Sequence, residues 1–334
     1  MPRTSFTDLV GCAVPIQMAG MGSLALPRLA AAVADAGALG MLGWGGAPPE
    51  FVARMLDETR RLTAGVFGIN FITDGWIDAR TGELDREALA AVEAAATRAR
   101  VVEFFYSEPD HRLVEKAHAG GALAAWQVGS VEEALAAVRA GCDLIVAQGV
   151  EAGGHVRGRI PLKTLLAAVS REVRVPVVAA GGIGNGREMA AALDAGAAGV
   201  RIGTRFVAAT ESEAHPLYVQ KLIAANRGDT VLTEGFSTNW SNAPHRVLRD
   251  CLEAMQRSTD AVVGERVLPW APDVRVPIQR GDSIVALRST TGRIEAMPHW
   301  AGESVSDVRG IAPAAEIVRE LMSEAEPLVR RTQG

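Results

Sequence analysis

Between residues 29 and 202 the chain repeats one arrangement of apolar and polar positions. Leu29 to Gly37 is a run of small apolar residues closed by a glycine and followed by Leu39-Gly40-Met41-Leu42. Ala134 to Gly141 leads in the same way to Leu144-Ile145-Val146, and Ala190 to Gly196 leads to Val200-Arg201-Ile202. A small-faced helix ended by glycine, then a short and continuously apolar strand, is the helix-to-strand half of a parallel βα unit. Apolar runs bounded by turn residues predict strands over Pro15–Met18, Leu39–Trp44, Val66–Phe71, Val101–Tyr106, Leu123–Gln127, Leu144–Gln148, Val175–Ala180 and Gly199–Ile202. Helical periodicity lies between them, at Leu84–Arg98, Asp110–Ala119, Val131–Ala140, Pro161–Val169 and Glu188–Ala195. Strands and helices alternating in this number predict an α/β fold, a (β/α)8 TIM barrel rather than an open sheet.

After Ile202 the refrain stops. Residues 210–305 hold Trp240, Trp270 and Trp300, several prolines and irregular charged segments, which predict a mainly helical lobe. Ile311–Arg330 then reads as one amphipathic helix, with Ile311, Ala314, Ala315, Val318, Leu321, Met322 and Leu328 on one face. The expected organisation is a barrel domain from 1–209 and 306–334, with a lobe over 210–305 inserted between the last strand and the last helix. A lobe placed there overhangs the C-terminal mouth, where barrel active sites lie.

Composition narrows the function classes. The 334 residues are 48% hydrophobic and 22% charged, ordinary for a water-soluble globular chain. A net charge of -5 without runs of lysine and arginine argues against nucleic acid and anionic membranes as partners. Cys12, Cys142 and Cys251 are odd in number and far apart, so neither a disulfide framework nor a metal cluster is expected, and the cytoplasm is the expected compartment. Leu9 to Pro27 lacks charge where a signal peptide would lie, but Pro15, Gln17 and intervening glycines break it, and it reads as a buried strand with its loop.

The stretch richest in chemistry follows the sixth strand: Gln148-Gly149-Val150-Glu151-Ala152-Gly153-Gly154-His155. Glycine admits close backbone approach, so a flat ligand could lie against Gly153 and Gly154 beneath His155. Imidazole titrates near neutrality, which suits it to proton abstraction; a histidine in such a loop can also simply bond a carbonyl. Strands seven and eight end in Ala180-Gly181-Gly182-Ile183 and Gly203-Thr204-Arg205. The loops after these two strands commonly bind phosphate in barrels, through backbone amides at a helix start. Asn70 and Gln148, each at the end of an apolar strand, could serve a polar ring edge, although asparagine there can also form a turn.

A competing fingerprint, Gly20-Met21-Gly22-Ser23-Leu24-Ala25, satisfies the dinucleotide pattern G-x-G-x-x-A. Pro27 falls where that helix should already run, and the second strand ends in Gly43-Trp44-Gly45-Gly46 with no acidic residue for a ribose.

Together, Pro15-Ile16-Gln17-Met18-Ala19-Gly20-Met21, Phe67-Gly68-Ile69-Asn70, Gln148 to His155, Ala180 to Ile183 and Gly203-Thr204-Arg205-Phe206 resemble the nitronate monooxygenases, formerly called 2-nitropropane dioxygenases. The likeness spans residues 14–212 and returns near 297–330. Its superfamily also holds FMN-dependent enoyl-ACP reductases and NADH:quinone reductases. The resemblance implies non-covalent FMN, its phosphate on Gly181, Gly182, Gly203 and Thr204 beside Ala180, its isoalloxazine bonded by Asn70 and Gln148 and flanked by Met18, Ala19 and Gly20, and His155 facing its reactive side as the catalytic residue. It implies oxidation of an alkyl nitronate by O2 to a carbonyl compound and nitrite. The alternatives are an FMN-dependent NAD(P)H reductase acting on quinones or enoyl thioesters, and a non-catalytic flavin-binding barrel. A homodimer is compatible with either enzyme. Two departures bear on substrate: Glu103 stands mid-strand where a small residue is expected, and Gly302-Glu303-Ser304 replaces Gly-Gln-Ser. A charge inside a parallel strand must find a partner or stay protonated, and Glu103 is expected to turn into the barrel toward an arginine, with a role in the chemistry as the alternative.

Overall fold

The computed structural model describes residues 3–44 and 46–332. Gly45, at the tip of the second strand, lies outside the described residues, as do residues 1, 2, 333 and 334 at the ends of the expected barrel segments. All eight anticipated strands form: β1 (Ile16–Met18), β2 (Gly40–Gly43), β3 (Phe67–Ile72), β4 (Val101–Phe105), β5 (Leu123–Val128), β6 (Leu144–Gln148), β7 (Val177–Ala180) and β8 (Gly199–Ile202). They pair in parallel in the order β1-β8-β7-β6-β5-β4-β3-β2. A parallel bridge between Gln17 and Leu39, carried by Leu39 N–H to Ile16 and Met18 N–H to Leu39, joins the ends and closes the barrel.

The helices between the strands are α2 (Pro27–Asp35), α3 (Pro49–Leu62), α4 (Arg86–Ala96), α5 (His111–Ala119), α6 (Val131–Arg139), α7 (Leu162–Glu172) and α8 (Gly186–Asp194), after a short α1 (Ser5–Val10) and before the single turn α9 (Thr204–Val207) that follows β8. Asp85, Asp110, Ser130 and Asn185 start four of them, each accepting a bond from a first-turn amide. The repeat glycines end them: Gly37, Gly141 and Gly196 have φ of +87°, +99° and +101°, a conformation that a β-carbon disfavours. Gly22 to Leu24 is a single 3-10 turn and Pro27 opens α2, so no dinucleotide helix follows the Gly20-x-Gly22 pattern.

Two expectations need correction. Ile311 is 65% exposed and precedes α12 (Ala314–Thr332), which packs between α8 and α2 through Ala314, Ile317, Val318, Leu321 and Ala325. The segment 210–305 is not mainly helical either. It contains α10 (Pro216–Ala224) and α11 (Arg249–Arg257), but also β9 (Thr230–Thr233) paired with β10 (His245–Leu248), and a long hairpin of β11 (Val262–Leu268) and β12 (Ala271–Gln279). The charges between its β-branched residues, with Pro272 and Pro277, interrupt the alternation of a strand, so the local pattern carries no clear sign of the hairpin. Both prolines lie in β12, an edge strand, the position in a sheet where proline is tolerated. Among the described residues no helix is long and apolar enough to cross a membrane.

Candidate active site

A cavity of about 620 Å³ opens at the C-terminal ends of the barrel strands. That volume lies in the range of small-molecule sites, roughly 300–1,000 Å³. Its walls come from two sources. The barrel contributes the loops after β1, β2, β3, β6, β7 and β8, and the segment 210–305 contributes Trp240, Arg266, Ile284, Leu287 and Trp300. Residues far apart in the chain thus share one chamber.

Of the anticipated residues, Ala19, Gly20, Asn70, Gln148, Gly153, Gly154, His155, Ala180, Gly181, Gly182, Gly203 and Thr204 all line this cavity. Met18 does not: it is fully buried in β1, within the barrel core. Gly181 and Gly182 have φ of +116° and +69°, so the turn after β7 uses glycine's freedom twice in succession. A β-carbon on Gly153 would stand 2.4 Å from the amide nitrogen of Gly302, so this loop packs backbone to backbone against the returning chain. Gly302 N–H also donates to the Thr204 hydroxyl at 3.0 Å, which leaves that hydroxyl's hydrogen free to donate.

His155 is held from both sides. Gly154–His155 forms a short strand antiparallel to β10, with His155 opposite His245, while Gln148 Nε2 donates to the His155 carbonyl at 2.9 Å. Gln148 Oε1 in turn accepts from Arg157 N–H at 3.4 Å, so the Gln148 amide braces the histidine loop. The imidazole sits among Trp240 (4.0 Å between ring centroids), Trp300 (5.2 Å), His245 (5.5 Å) and Tyr106 (5.9 Å). Its Nε2 is buried without a hydrogen-bond partner among the described residues. Burial among these rings, with the nearby His245 adding to it, pushes the His155 pKa down to about 3. His155 is therefore neutral at physiological pH. His245 is fixed as well: its Nε2 accepts from Phe236 N–H at 3.2 Å while Nδ1 meets the Ala243 carbonyl at 2.8 Å, which places its proton on Nδ1.

Tyr106 was not singled out as a site residue. It is a non-glycine residue with φ of +82° at the end of β4, its carbonyl bonded by Arg157 Nη1 at 2.8 Å. Such backbone strain concentrates at functional sites. Nothing local in the sequence signals it. Trp240 and Trp300 were visible as residues, but not as partners of His155.

Beneath the cavity the barrel interior carries a buried polar cluster. Glu103 is 0% exposed and accepts from Gln17 Nε2 at 2.9 Å, Asn70 Nδ2 at 2.7 Å and Arg201 Nη2. Arg201, 7% exposed, also donates to Gln127. Glu103 thus points inward and pairs with an arginine, as its position mid-strand required. Asn70, which gives an amide hydrogen to Glu103, also lines the cavity, and its side-chain carbonyl oxygen remains available as an acceptor. Glu303 lies outside this cluster, 3.6 Å from Arg246.

The sequence profile of the family described as Nitronate monooxygenase matches residues 3–324. The chain belongs to the nitronate monooxygenase family of oxidoreductases. A (3aS,4S,5R,7aS)-5-hydroxy-7a-methyl-1-oxo-octahydro-1H-indene-4-carboxyl-CoA dehydrogenase of Rhodococcus jostii is 36% identical over 77% of this chain and 69% of its own. A nitronate monooxygenase of Paraburkholderia phytofirmans is 29% identical over 98% of this chain and 97% of its own. Among solved structures, FabK from Thermotoga maritima superposes with a TM-score of 0.80 at 30% identity, covering 100% of this chain and 99% of its own. The relatives this chain resembles are thus named for different reactions.

Proposed function

We propose that this enzyme binds FMN in the cavity and oxidises alkyl nitronates with O2, giving a carbonyl compound and nitrite. The observation that carries the reading is that neutral His155, whose buried Nε2 has no hydrogen-bond partner among the described residues, lines the same cavity as the glycine turns after β7 and β8. The residues present fit the cofactor. The paired positive φ at Gly181 and Gly182 and the spare Thr204 hydroxyl hydrogen suit a phosphate, and the Asn70 carbonyl offers an acceptor to a ring N–H. Bound there, FMN would supply the electron transfer from nitronate to O2.

The chain's own part is orientation, exclusion of water and proton handling. Trp240, Trp300 and Tyr106 dry the surroundings of His155 and hold its ring. Neutral imidazole is the form a base needs, although the burial that keeps it neutral also weakens it as an acceptor. An anion forming beside it would offset that weakness, because negative charge favours imidazolium. The three cysteines are buried and unpaired, which supports a cytoplasmic enzyme.

A second reading is an FMN-dependent NAD(P)H reductase acting on quinones or enoyl thioesters; the Rhodococcus relative, named as a dehydrogenase of a carboxyl-CoA compound, keeps a thioester substrate in view. Anaerobic mixing separates the two. Flavin bleaching by an alkyl nitronate but not by NADH is the expected result; rapid bleaching by NADH alone would replace the first reading with the second, and a colourless purified protein would remove both.

A further inference from the structure

Arg266 stands apart from the other arginines at or near the cavity. It lies in β11, on the hairpin that spans from the 210–305 segment back to the barrel, where Trp270 at the hairpin turn packs on Phe51 of α3 with ring centroids 6.0 Å apart. Arg266 lines the cavity beside Trp240, Ser283 and Ile284. Its Nε is buried without a hydrogen-bond partner, and among the described residues its guanidinium makes no ion pair. Arg201, by contrast, pairs with Glu103, Arg205 with Glu320, Arg157 with Glu133 and Glu108, and Arg246 with the Val150 carbonyl and Glu303. Asp282 exerts some attraction on Arg266, but its Oδ2 accepts from Gln279 N–H at 2.7 Å. Asp74, the acidic residue on the cavity wall, is exposed and so keeps its water.

A half-buried guanidinium that makes no ion pair among the described residues, and whose Nε is left without a hydrogen bond, is unfavourable until something anionic meets it. Burial holds its pKa below the ordinary arginine value, so the attraction of Asp282 does not make up for the hydration the guanidinium has lost. The planar fork of five N–H donors matches carboxylate and phosphate oxygens. We infer that Arg266 anchors an anionic group, carboxylate or phosphate, that the substrate carries away from its reacting carbon. The cavity then selects anionic substrates over neutral alkyl ones of the same length: the apolar rings around His155 hold the reacting end, and Arg266 the charged end. This inference rests on the cavity being the substrate site of the proposed function.

Calorimetric titration of the FMN-loaded protein with hexanoate, hexyl phosphate and 1-hexanol tests it, since FMN already fills its own phosphate site and no turnover is needed. At least one of the two anions should bind about 10- to 100-fold tighter than hexanol, the usual worth of hydrogen bonds to a charged group. Whichever anion binds tighter identifies the group. Arg266→Met should abolish that advantage and Arg266→Lys should keep part of it, both at wild-type flavin content. Equal binding of all three probes, or an advantage that survives in Arg266→Met, overturns the inference. Should Arg266→Met fail to fold, Arg266→Gln serves the same comparison. Nitronate turnover without anion selectivity would remove this inference alone; anion selectivity without nitronate turnover would remove the proposed function alone.

Discussion

Removing Glu103 tests the buried cluster that holds Asn70 and Arg201 in place. In Glu103→Leu, Arg201 keeps its charge at 7% exposure with only the Gln127 oxygen to meet it, and the amides of Gln17 and Asn70 lose their acceptor. Breaking one side of a buried ion pair costs about 3–5 kcal/mol, because the remaining charge stays desolvated and uncompensated. Replacing both members with apolar residues, Glu103→Leu with Arg201→Met, should recover most of that loss, since no charge is then left buried. Urea unfolding followed by tryptophan fluorescence supplies the numbers, and the double-mutant cycle isolates the coupling of the pair. In a thermal scan the single variant should melt at least about 6 °C lower, taking the smaller shift per kcal/mol seen in larger domains. A second readout follows from Asn70: freed from Glu103, its amide can flip, so the flavin absorption maximum should move in Glu103→Leu. A single variant within about 1 kcal/mol of wild type, or a double variant no more stable than the single, would refute the account of the cluster.

Gly182→Asp should abolish FMN retention, because it adds a negative charge and a β-carbon 3.1 Å from that of Glu151 at the turn assigned to the phosphate; equal flavin content in variant and wild type would sink the assignment. His155→Asn should retain FMN yet slow neutral nitroalkanes by roughly 10²- to 10⁴-fold, the usual worth of a positioned base, while nitronates, already deprotonated, suffer less. Equal losses on both would make His155 a positioning residue, and its pKa near 3 further predicts no inflection between pH 5 and 8 that disappears in the variant. His299, fully buried and stacked on Tyr218 at 4.9 Å, has its pKa pushed down to about 4, chiefly by burial. The unfolded chain therefore takes up a proton below about pH 6.5 that the folded chain refuses until about pH 4, so about 3 kcal/mol of stability present above pH 6.5 is lost across that window. His299→Gln should flatten the fall in unfolding free energy between pH 6.5 and 4.5; identical slopes in variant and wild type would contradict it.

Local pattern alone determined the barrel. Helix-glycine-strand repeats, cap residues such as Ser130 and Asn185 and apolar runs of strand length are short-range signals, and all eight strands lie where those signals put them. The glycine turns and His155 were legible for the same reason, since a βα loop's place at the barrel mouth follows from strand direction. The local pattern of 210–305 misled: its prolines and charges predicted a mainly helical lobe, whereas Pro272 and Pro277 sit in a hairpin that tolerates them because β12 is an edge strand, a fact about its neighbours. Everything that sets the chemistry of the site was decided over long range. Glu103 meets Arg201 from four strands away around the barrel, and His155 owes its neutrality to Trp240, His245 and Trp300, which reach it only because the returning chain folds over the mouth. A pKa and a charge's partner depend on which atoms exclude water from a group, and in a barrel those atoms come from strands and loops that the chain's order does not bring together.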